Sequence, residues 1–117
     1  MRTTADQHDR LTRELNEERA AALMRISRTL EGLIAQLHDL RASLLTPEAA
    51  FGAAASRRQQ KLDAYRLVRE QALLYRWYLE VQREAIGLRQ HHRLDEFYAV
   101  PPEIKHLSIN SQPAEFR

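Results

Sequence analysis

The sequence predicts an all-α protein built on an antiparallel hairpin of two long helices, with a short helical segment near the C-terminus. Three observations indicate this class. The 117 residues include only three glycines and four prolines. Leucine, alanine, arginine and glutamate, which favour helices, dominate the composition. Apolar residues also recur at helical spacing along most of the chain. A chain of this length accommodates one domain.

The first long helix is predicted over about residues 5–45. Its apolar residues alternate spacings of three and four, the pattern of a helix packed lengthwise on another. They are Leu23, Ile26, Leu30, Leu33, Leu37, Leu40 and Leu44. Upstream, Leu11 and Leu15 lie on the same side of the helix at about 100° per residue. Arg19 interrupts this row on the core-facing side.

The turn between the two long helices is predicted at Thr46-Pro47-Glu48. Threonine can cap the following helix, proline suits its first turn, and glutamate complements the positive end of its dipole. The second helix is predicted over about residues 47–90. A tight turn makes the two helices antiparallel.

The second helix carries two apolar rows that together cover an arc of roughly 200°, wider than one partner helix can bury. The first row comprises Tyr65, Val68, Ala72, Tyr75, Leu79 and Ile86; the second comprises Leu67, Leu74, Tyr78, Val81, Ala85 and Leu88. Gln82 breaks the first row and Gln71 the second, and both glutamines are interpreted as residues that set the register.

These two rows predict a homodimer in which two hairpins form a four-helix bundle, with one row against the chain's own first helix and the other across the two-fold axis. A hairpin that completes a bundle with a different protein fits the same pattern. The residues expected to carry oligomerisation are Leu30, Leu33, Leu37, Leu40, Leu74, Tyr75, Tyr78, Leu79 and Val81.

Residues 91–98 are expected to extend the second helix or to form a separate short one, which gives a hairpin domain over residues 1–98. Val100 precedes Pro101 and Pro102, so the chain must leave helical geometry there. Residues 99–117 are predicted to be a proline-containing tail that is partly mobile.

Several functional classes are excluded or disfavoured by composition. The absence of cysteine excludes disulfides, a thiol nucleophile and cysteinate metal sites. No apolar run reaches the roughly 18 residues of a membrane span, and no signal-peptide core follows Met1, so a cytoplasmic location is expected. No nucleophile and base pair can be named, so neither an enzyme nor a cofactor is predicted. A small all-α enzyme that binds an anionic substrate through Arg19 is a less favoured alternative.

A histidine and carboxylate cluster occurs near the C-terminus: His91, His92, Asp95, Glu96 and His106. Two adjacent helical histidines point about 100° apart and cannot easily share one ion. The cluster is therefore interpreted as solvated helix-end residues, and no metal site is predicted.

Protein binding is the function the sequence favours, because the apolar surface exceeds what one hairpin can bury. The chain is predicted to be a non-catalytic adaptor, assembly factor or chaperone-like module whose partners are a second copy and another protein. Leu73 and Trp77 lie one turn apart among arginines and glutamates, a composition typical of interface anchors. The candidate contact residues are Leu73, Trp77, Phe97, Tyr98, Pro101 and Pro102. Alternatively, the C-terminal segment folds back and covers Leu73 and Trp77.

Nucleic-acid binding is the runner-up function. The net charge is +2, and arginines recur every seven residues at Arg69, Arg76 and Arg83. With Arg57, Arg58 and Lys61 they could support weak, salt-sensitive binding by a helical dimer. The simpler interpretation is a solvated helix face, on which Arg66 pairs with Glu70 and Arg76 with Glu80.

Overall fold

The protein is an all-α hairpin, seen in a computed structural model that describes residues 3–46 and 51–104. Helix α1 spans Thr4–Leu45, α2 spans Gly52–Ala85, and a short α3 spans His92–Phe97. The two long helices pack antiparallel, in a rod of 81 × 30 × 15 Å. The predicted all-α hairpin with a short third helix is thereby confirmed. Over the described residues, no helix combines the length and apolarity needed to cross a membrane.

Helix α1 begins at Thr4 because Thr3 and Asp6 form a capping box. The Thr3 hydroxyl accepts from the Asp6 N–H over 3.1 Å, and the Asp6 carboxylate accepts from the Thr3 N–H over 3.3 Å. Residues 4–21 are all exposed, so about 27 Å of this helix projects beyond its packed part. Arg19 lies in this projection and is exposed rather than directed into a core.

The hairpin core contains the first of the two apolar rows of α2, apart from Ile86, which follows the end of α2 and is 38% exposed. On α1, Leu30, Leu37 and Leu44 repeat every seven residues and are fully buried. They share one core with Leu62, Tyr65, Val68, Ala72 and Leu79 of α2. Around this centre pack the partly buried Leu23, Ile26, Leu33, Ile34, Leu40 and Tyr75. The row that includes Tyr65 and Leu79 therefore faces α1.

The C-terminal end of α1 is satisfied by side chains. The Thr46 hydroxyl donates to the Ala42 carbonyl over 2.9 Å, so it bonds back to α1 instead of capping the next helix. Arg58 of α2 donates to the carbonyl oxygens of Leu44 and Thr46. These contacts satisfy carbonyl groups that have no partner within the helix.

The described part of α2 begins at Gly52, with Phe51 at the N-cap position and no side-chain cap. The predicted start at Pro47, with Glu48, lies outside the described residues. Lys61, one turn after Arg58, donates to the Ser43 hydroxyl over 2.6 Å. Contacts from α2 to the end of α1 thus hold the two helices together next to the turn.

Helix α2 ends at Ala85, five residues before the predicted end, because the chain reverses at Gly87. This glycine has a φ of +93°, which is unfavourable for residues with a side chain. The Gly87 N–H donates to the Glu84 carbonyl over 3.0 Å, and the Leu88 N–H to the Arg83 carbonyl over 2.9 Å. This is the hydrogen-bond pattern of a Schellman motif. Helix α3 is therefore a separate element and does not continue α2.

The chain after the Gly87 turn runs back along α2, and we call residues 90–104 the strap. The strap contains α3 and an extended part around Pro101. Leu94 and Ile104 are buried in the hairpin core, and Tyr98 and Val100 pack at its edge. Residues 99–104, which were assigned to the tail from sequence, thus pack on the hairpin.

Candidate protein-interaction site

The second apolar row of α2 is exposed along the face opposite the core. We call the part of this row within α2, together with Gln71 at its break, the outer seam: Leu67, Gln71, Leu74, Tyr78, Val81 and Ala85. Leu88, the last predicted member of the row, lies beyond the end of α2. Its spacings alternate between four and three residues, as in a coiled coil. The exposed fractions are 57% for Leu67, 45% for Leu74 and 39% for Val81. Leu74 points about 180° away from the buried Tyr65.

Three aromatic side chains cluster at the middle of the outer seam. The Tyr78 ring lies 5.4 Å from that of Tyr75 in an edge-on arrangement and 5.6 Å from that of Trp77. Trp77 is 56% exposed and Leu73, one turn before it, is also exposed. Large aromatic residues at the centre of a contact surface are typical binding hot spots.

Acidic residues border one edge of the outer seam. Asp63, Glu70 and Glu84 occupy positions separated by multiples of seven residues, and all three are exposed. Trp77 occupies the remaining position of this series. The corresponding positions on the other side are uncharged: Val68 is buried in the hairpin core, Tyr75 is partly buried against it, and Gln82 is half-buried. The seam thus has one acidic edge and one neutral edge.

On another side of α2, three arginines hold the strap, and we call Arg69, Arg76 and Arg83 the arginine ladder. The Arg83 guanidinium donates to the Gln90 carbonyl over 2.9 Å. Arg76 forms an ion pair with the Asp95 carboxylate. Arg69 Nε donates to the Pro101 carbonyl over 2.9 Å. The three arginines, spaced seven residues apart, therefore attach the strap to α2 at three points.

The end of the strap is held by Tyr65. Its hydroxyl donates to the Pro102 carbonyl over 2.7 Å. Burial raises the pKa of Tyr65, while the positive charges of Arg41 and Arg69 act in the opposite direction. Arg41 Nε is buried and has no hydrogen-bond partner within the part of the chain that the structure describes.

The structure divides the six predicted contact residues into two groups. Leu73 and Trp77 are exposed on α2 and are not covered by the described strap. In the strap, Phe97 is exposed, Tyr98 is partly buried and Pro101 is buried, while Pro102 is exposed but uses its carbonyl. Arg76 fastens the strap and its neighbour Trp77 points about 100° away, so the groups face different directions.

The nine residues expected to carry oligomerisation are also divided. Leu30, Leu33, Leu37, Leu40, Tyr75 and Leu79 pack within the hairpin itself. The remaining three, Leu74, Tyr78 and Val81, belong to the outer seam and are exposed.

Most of the residues named for nucleic-acid binding make contacts within the chain. Arg58 and Lys61 contact the end of α1, and the arginine ladder contacts the strap. Arg57 is exposed. The expected partner of Arg76 was Glu80, whereas the structure pairs it with Asp95. The guanidinium group of Arg66 lies 4.0 Å from the carboxylate of Asp63.

Among the members of the histidine cluster, the structure describes the side chains of His91, Asp95 and Glu96. No group of three or more metal-ligating side chains occurs in the described part of the chain. His91 Nε2 lies 3.0 Å from the Glu84 carboxylate and Nδ1 lies 3.4 Å from Arg83 Nε. His106 lies outside the described residues.

Sequence reasoning did not identify the strap contacts. Leu94 and Ile104 lack helical periodicity with the rest of the core, so their burial had no local signal. The signal for the reversal was Gly87, since glycine just after a helix commonly ends it. A helix that stops at this glycine brings the C-terminal segment beside the arginine repeat.

Comparison of the chain with protein-family models, with curated proteins and with solved structures gives no match.

Proposed function

We propose that this protein is a non-catalytic helical protein-binding module that assembles with a second copy through the outer seam of α2. The observation that carries the proposal is a coiled-coil row exposed on the face opposite the core. It supports an adaptor, assembly factor or chaperone-like role, in which the dimer presents Trp77 and its neighbours to another protein. Because the seam faces away from α1, two hairpins joined in this way place the four helices side by side, with the two α2 helices in the middle, instead of around one common core.

The surface area of the chain supports such an assembly. Its accessible surface is 8722 Å², whereas a compact monomer of this mass exposes about 6,600 Å². The radius of gyration is 21.6 Å, against about 13 Å for a compact domain of this length. This excess belongs to the whole rod, including the exposed residues 4–21 of α1, and is large enough to include the roughly 800 Å² that each partner buries in a standard interface.

The charges beside the outer seam favour a parallel arrangement of the two α2 helices. A parallel pair places the acidic edge of one copy, with Glu70 and Glu84, against the neutral edge of the other. An antiparallel pair brings the two acidic edges together, which is unfavourable. In the parallel pair Gln71 meets Gln71 of the second copy, where a polar residue specifies register.

A cysteine crosslink tests this assembly, because the natural chain has no cysteine. Gln71→Cys is expected to form a disulfide-linked dimer under mild oxidation, since parallel helices bring the two thiols together. Met24→Cys, on an exposed position of α1, is the matched control and should remain unlinked. A crosslink yield for Gln71→Cys no greater than that of the control would overturn the parallel dimer.

Sedimentation velocity tests dimerisation without a crosslink. The wild-type chain is expected to be a dimer, and Leu74→Glu should convert it to a monomer because it introduces charge into the seam. Met24→Glu, which changes an equally exposed apolar residue outside the seam, should leave the dimer intact. A wild-type monomer at all accessible concentrations would contradict self-assembly.

A further inference from the structure

The strap occupies the groove between α1 and α2 as a ligand occupies a binding site. Two apolar side chains, Leu94 and Ile104, are 4% and 8% exposed and serve as anchors. Between them the strap is fixed by polar contacts from α2. This groove lies on a different side of α2 from the outer seam, so a segment can occupy it whether or not the proposed dimer forms.

Most polar contacts from α2 to the strap are made to main-chain carbonyls. They therefore depend on the backbone path of the strap more than on its side chains. Gln90, Pro101 and Pro102 each accept a hydrogen bond through the main-chain carbonyl. Within the described residues, Asp95 is the strap residue whose carboxylate pairs with the arginine ladder, at Arg76. A different segment with the same path and one suitably placed acid would meet the same donors.

Two consecutive prolines suit this mode of recognition. Residues 99–104 form neither helix nor strand, and proline has a fixed φ and no N–H of its own. Because a segment outside helix and strand has no regular internal hydrogen bonds, its carbonyls are available to external donors, as in other proline-rich segments that dock on aromatic and polar grooves. Here Arg69 and Tyr65 supply those donors to Pro101 and Pro102.

We propose that the α1/α2 groove is a docking site for a proline-containing segment of a partner protein, and that the strap is its built-in competitor. The segment that fits has a helical turn with an apolar anchor followed directly by an acid, and then two prolines and a second apolar anchor, in the order of Leu94, Asp95, Pro101, Pro102 and Ile104. Charge complementarity supports this occupant, because the ladder presents three guanidinium groups along the groove. Binding of the partner segment requires release of the strap.

The experiment uses a fluorescein-labelled synthetic peptide with the sequence of residues 90–104 and the full-length chain. In the variant Leu94→Asp/Ile104→Asp, the strap loses both apolar anchors while the groove of α1 and α2 keeps its residues. Fluorescence anisotropy should show saturable binding to this variant. Binding to the wild-type chain should be at least about tenfold weaker, because its own strap competes at high effective concentration.

Two controls distinguish specific binding of the peptide from nonspecific adsorption. Adding Arg69→Ala and Arg76→Ala to the released variant should weaken peptide binding at least about tenfold, since charge-assisted contacts are lost. A peptide with Pro101 and Pro102 both replaced by alanine should also bind more weakly. If the unmodified peptide binds the wild-type and released chains equally, or neither, the proposal is wrong.

Circular dichroism establishes whether the released variant keeps its helices. Should Leu94→Asp/Ile104→Asp lose helicity, Leu94→Ala provides the same test with a milder change, and its affinity for the peptide should lie above that of the wild type. No increase in affinity for a helical Leu94→Ala chain overturns the docking site.

Discussion

The hydroxyl group of Tyr65 donates a hydrogen bond to the carbonyl oxygen of Pro102 over 2.7 Å, although 37 residues separate the two in the sequence. Tyr65 is fully buried in the hairpin core. One side chain therefore belongs both to the packing of α1 on α2 and to the attachment of the strap. A substitution of Tyr65 should therefore weaken both the packing of α1 on α2 and the attachment of the strap.

Stability is expected to fall at alkaline pH through Tyr65. Burial raises its pKa above the ordinary value of 10.0, with Arg41 and Arg69 opposing. A group whose pKa is raised on folding contributes stability that is complete below its unfolded pKa and is lost as the pH rises through its folded pKa. Ionisation also removes the donor to Pro102.

This expectation is checked by measuring the free energy of unfolding between about pH 8 and 11, on either side of the ordinary tyrosine pKa. The wild type should lose stability above pH 10 more steeply than Tyr65→Phe, which cannot ionise at this position. Parallel curves for the two proteins would contradict the assignment to Tyr65.

Replacing Gly87 by alanine is expected to destabilise the chain by about 1 kcal/mol, because the site has a positive φ that alanine adopts poorly. No neighbouring atom lies within 4 Å of the added methyl group, so backbone strain is the cause. Relief of that strain by continuing α2 should also loosen the strap. Urea denaturation measures the change.

Gly32 is the matched control for Gly87. It lies inside α1, where a Cβ would also meet nothing within 4 Å. Gly32→Ala is therefore expected to stabilise the chain by about 0.5–1 kcal/mol, since glycine is unfavourable in a helix interior. If both substitutions change stability in the same direction, the special role of Gly87 is refuted.

The same leucine-to-alanine change should act differently on the two faces of the hairpin. Leu37 is fully buried, so Leu37→Ala should cost about 2–5 kcal/mol of unfolding free energy at any protein concentration. Leu74 is 45% exposed, so Leu74→Ala should stay within about 0.5 kcal/mol of the wild type in dilute solution. Its effect should grow with protein concentration as the dimer forms.

Denaturation at two protein concentrations distinguishes these cases. A concentration-independent loss at Leu74 as large as that at Leu37 would show that the outer seam is part of the monomer core.

The ion pair between Arg76 and Asp95 should contribute up to about 1 kcal/mol to strap attachment, since one partner is well exposed. The side chains of Arg76 and Asp95 are 23% and 68% exposed. A double-mutant cycle with Arg76→Gln and Asp95→Asn measures the coupling, which should weaken as salt is raised.

The pair of Arg10 and Glu14 is the control for that cycle. Both side chains are more than half exposed, and they lie one turn apart on α1. Their coupling is expected to be about 0.3–0.5 kcal/mol. A coupling at Arg76 no larger than this would mean that the ladder holds the strap mainly through the main-chain carbonyls.

Much of the hairpin could be predicted from the sequence because helical periodicity is a local property. The seven-residue repeat of Leu30, Leu37 and Leu44 indicated a helix packed along its length, and these residues are buried. The end of α1 agreed with the prediction, since Leu45 precedes a threonine and a proline. The end of α2 did not, because Gly87 stops the helix while the apolar pattern continues to Leu88.

The candidate site could be predicted only in part. The position of Trp77 among arginines and glutamates left open whether the C-terminal segment covers it, and in the structure Trp77 is 56% exposed. The arginine repeat was visible, but Glu80 lies one turn from both Arg76 and Arg83 and offered a simpler partner. Nothing local to Arg76 indicated that Asp95 would come beside it.

By itself the sequence determined that this chain forms two long amphipathic helices and that α2 has more apolar surface than one neighbour can cover, because both properties follow from residue spacing. Only the tertiary structure decided which row faces α1, where the strap lies, and what the arginine ladder contacts. These depend on residues distant in sequence, such as Tyr65 and Pro102, whose meeting is set by the reversal at Gly87 and by packing. The second apolar row of α2 remains exposed because the first row packs against α1.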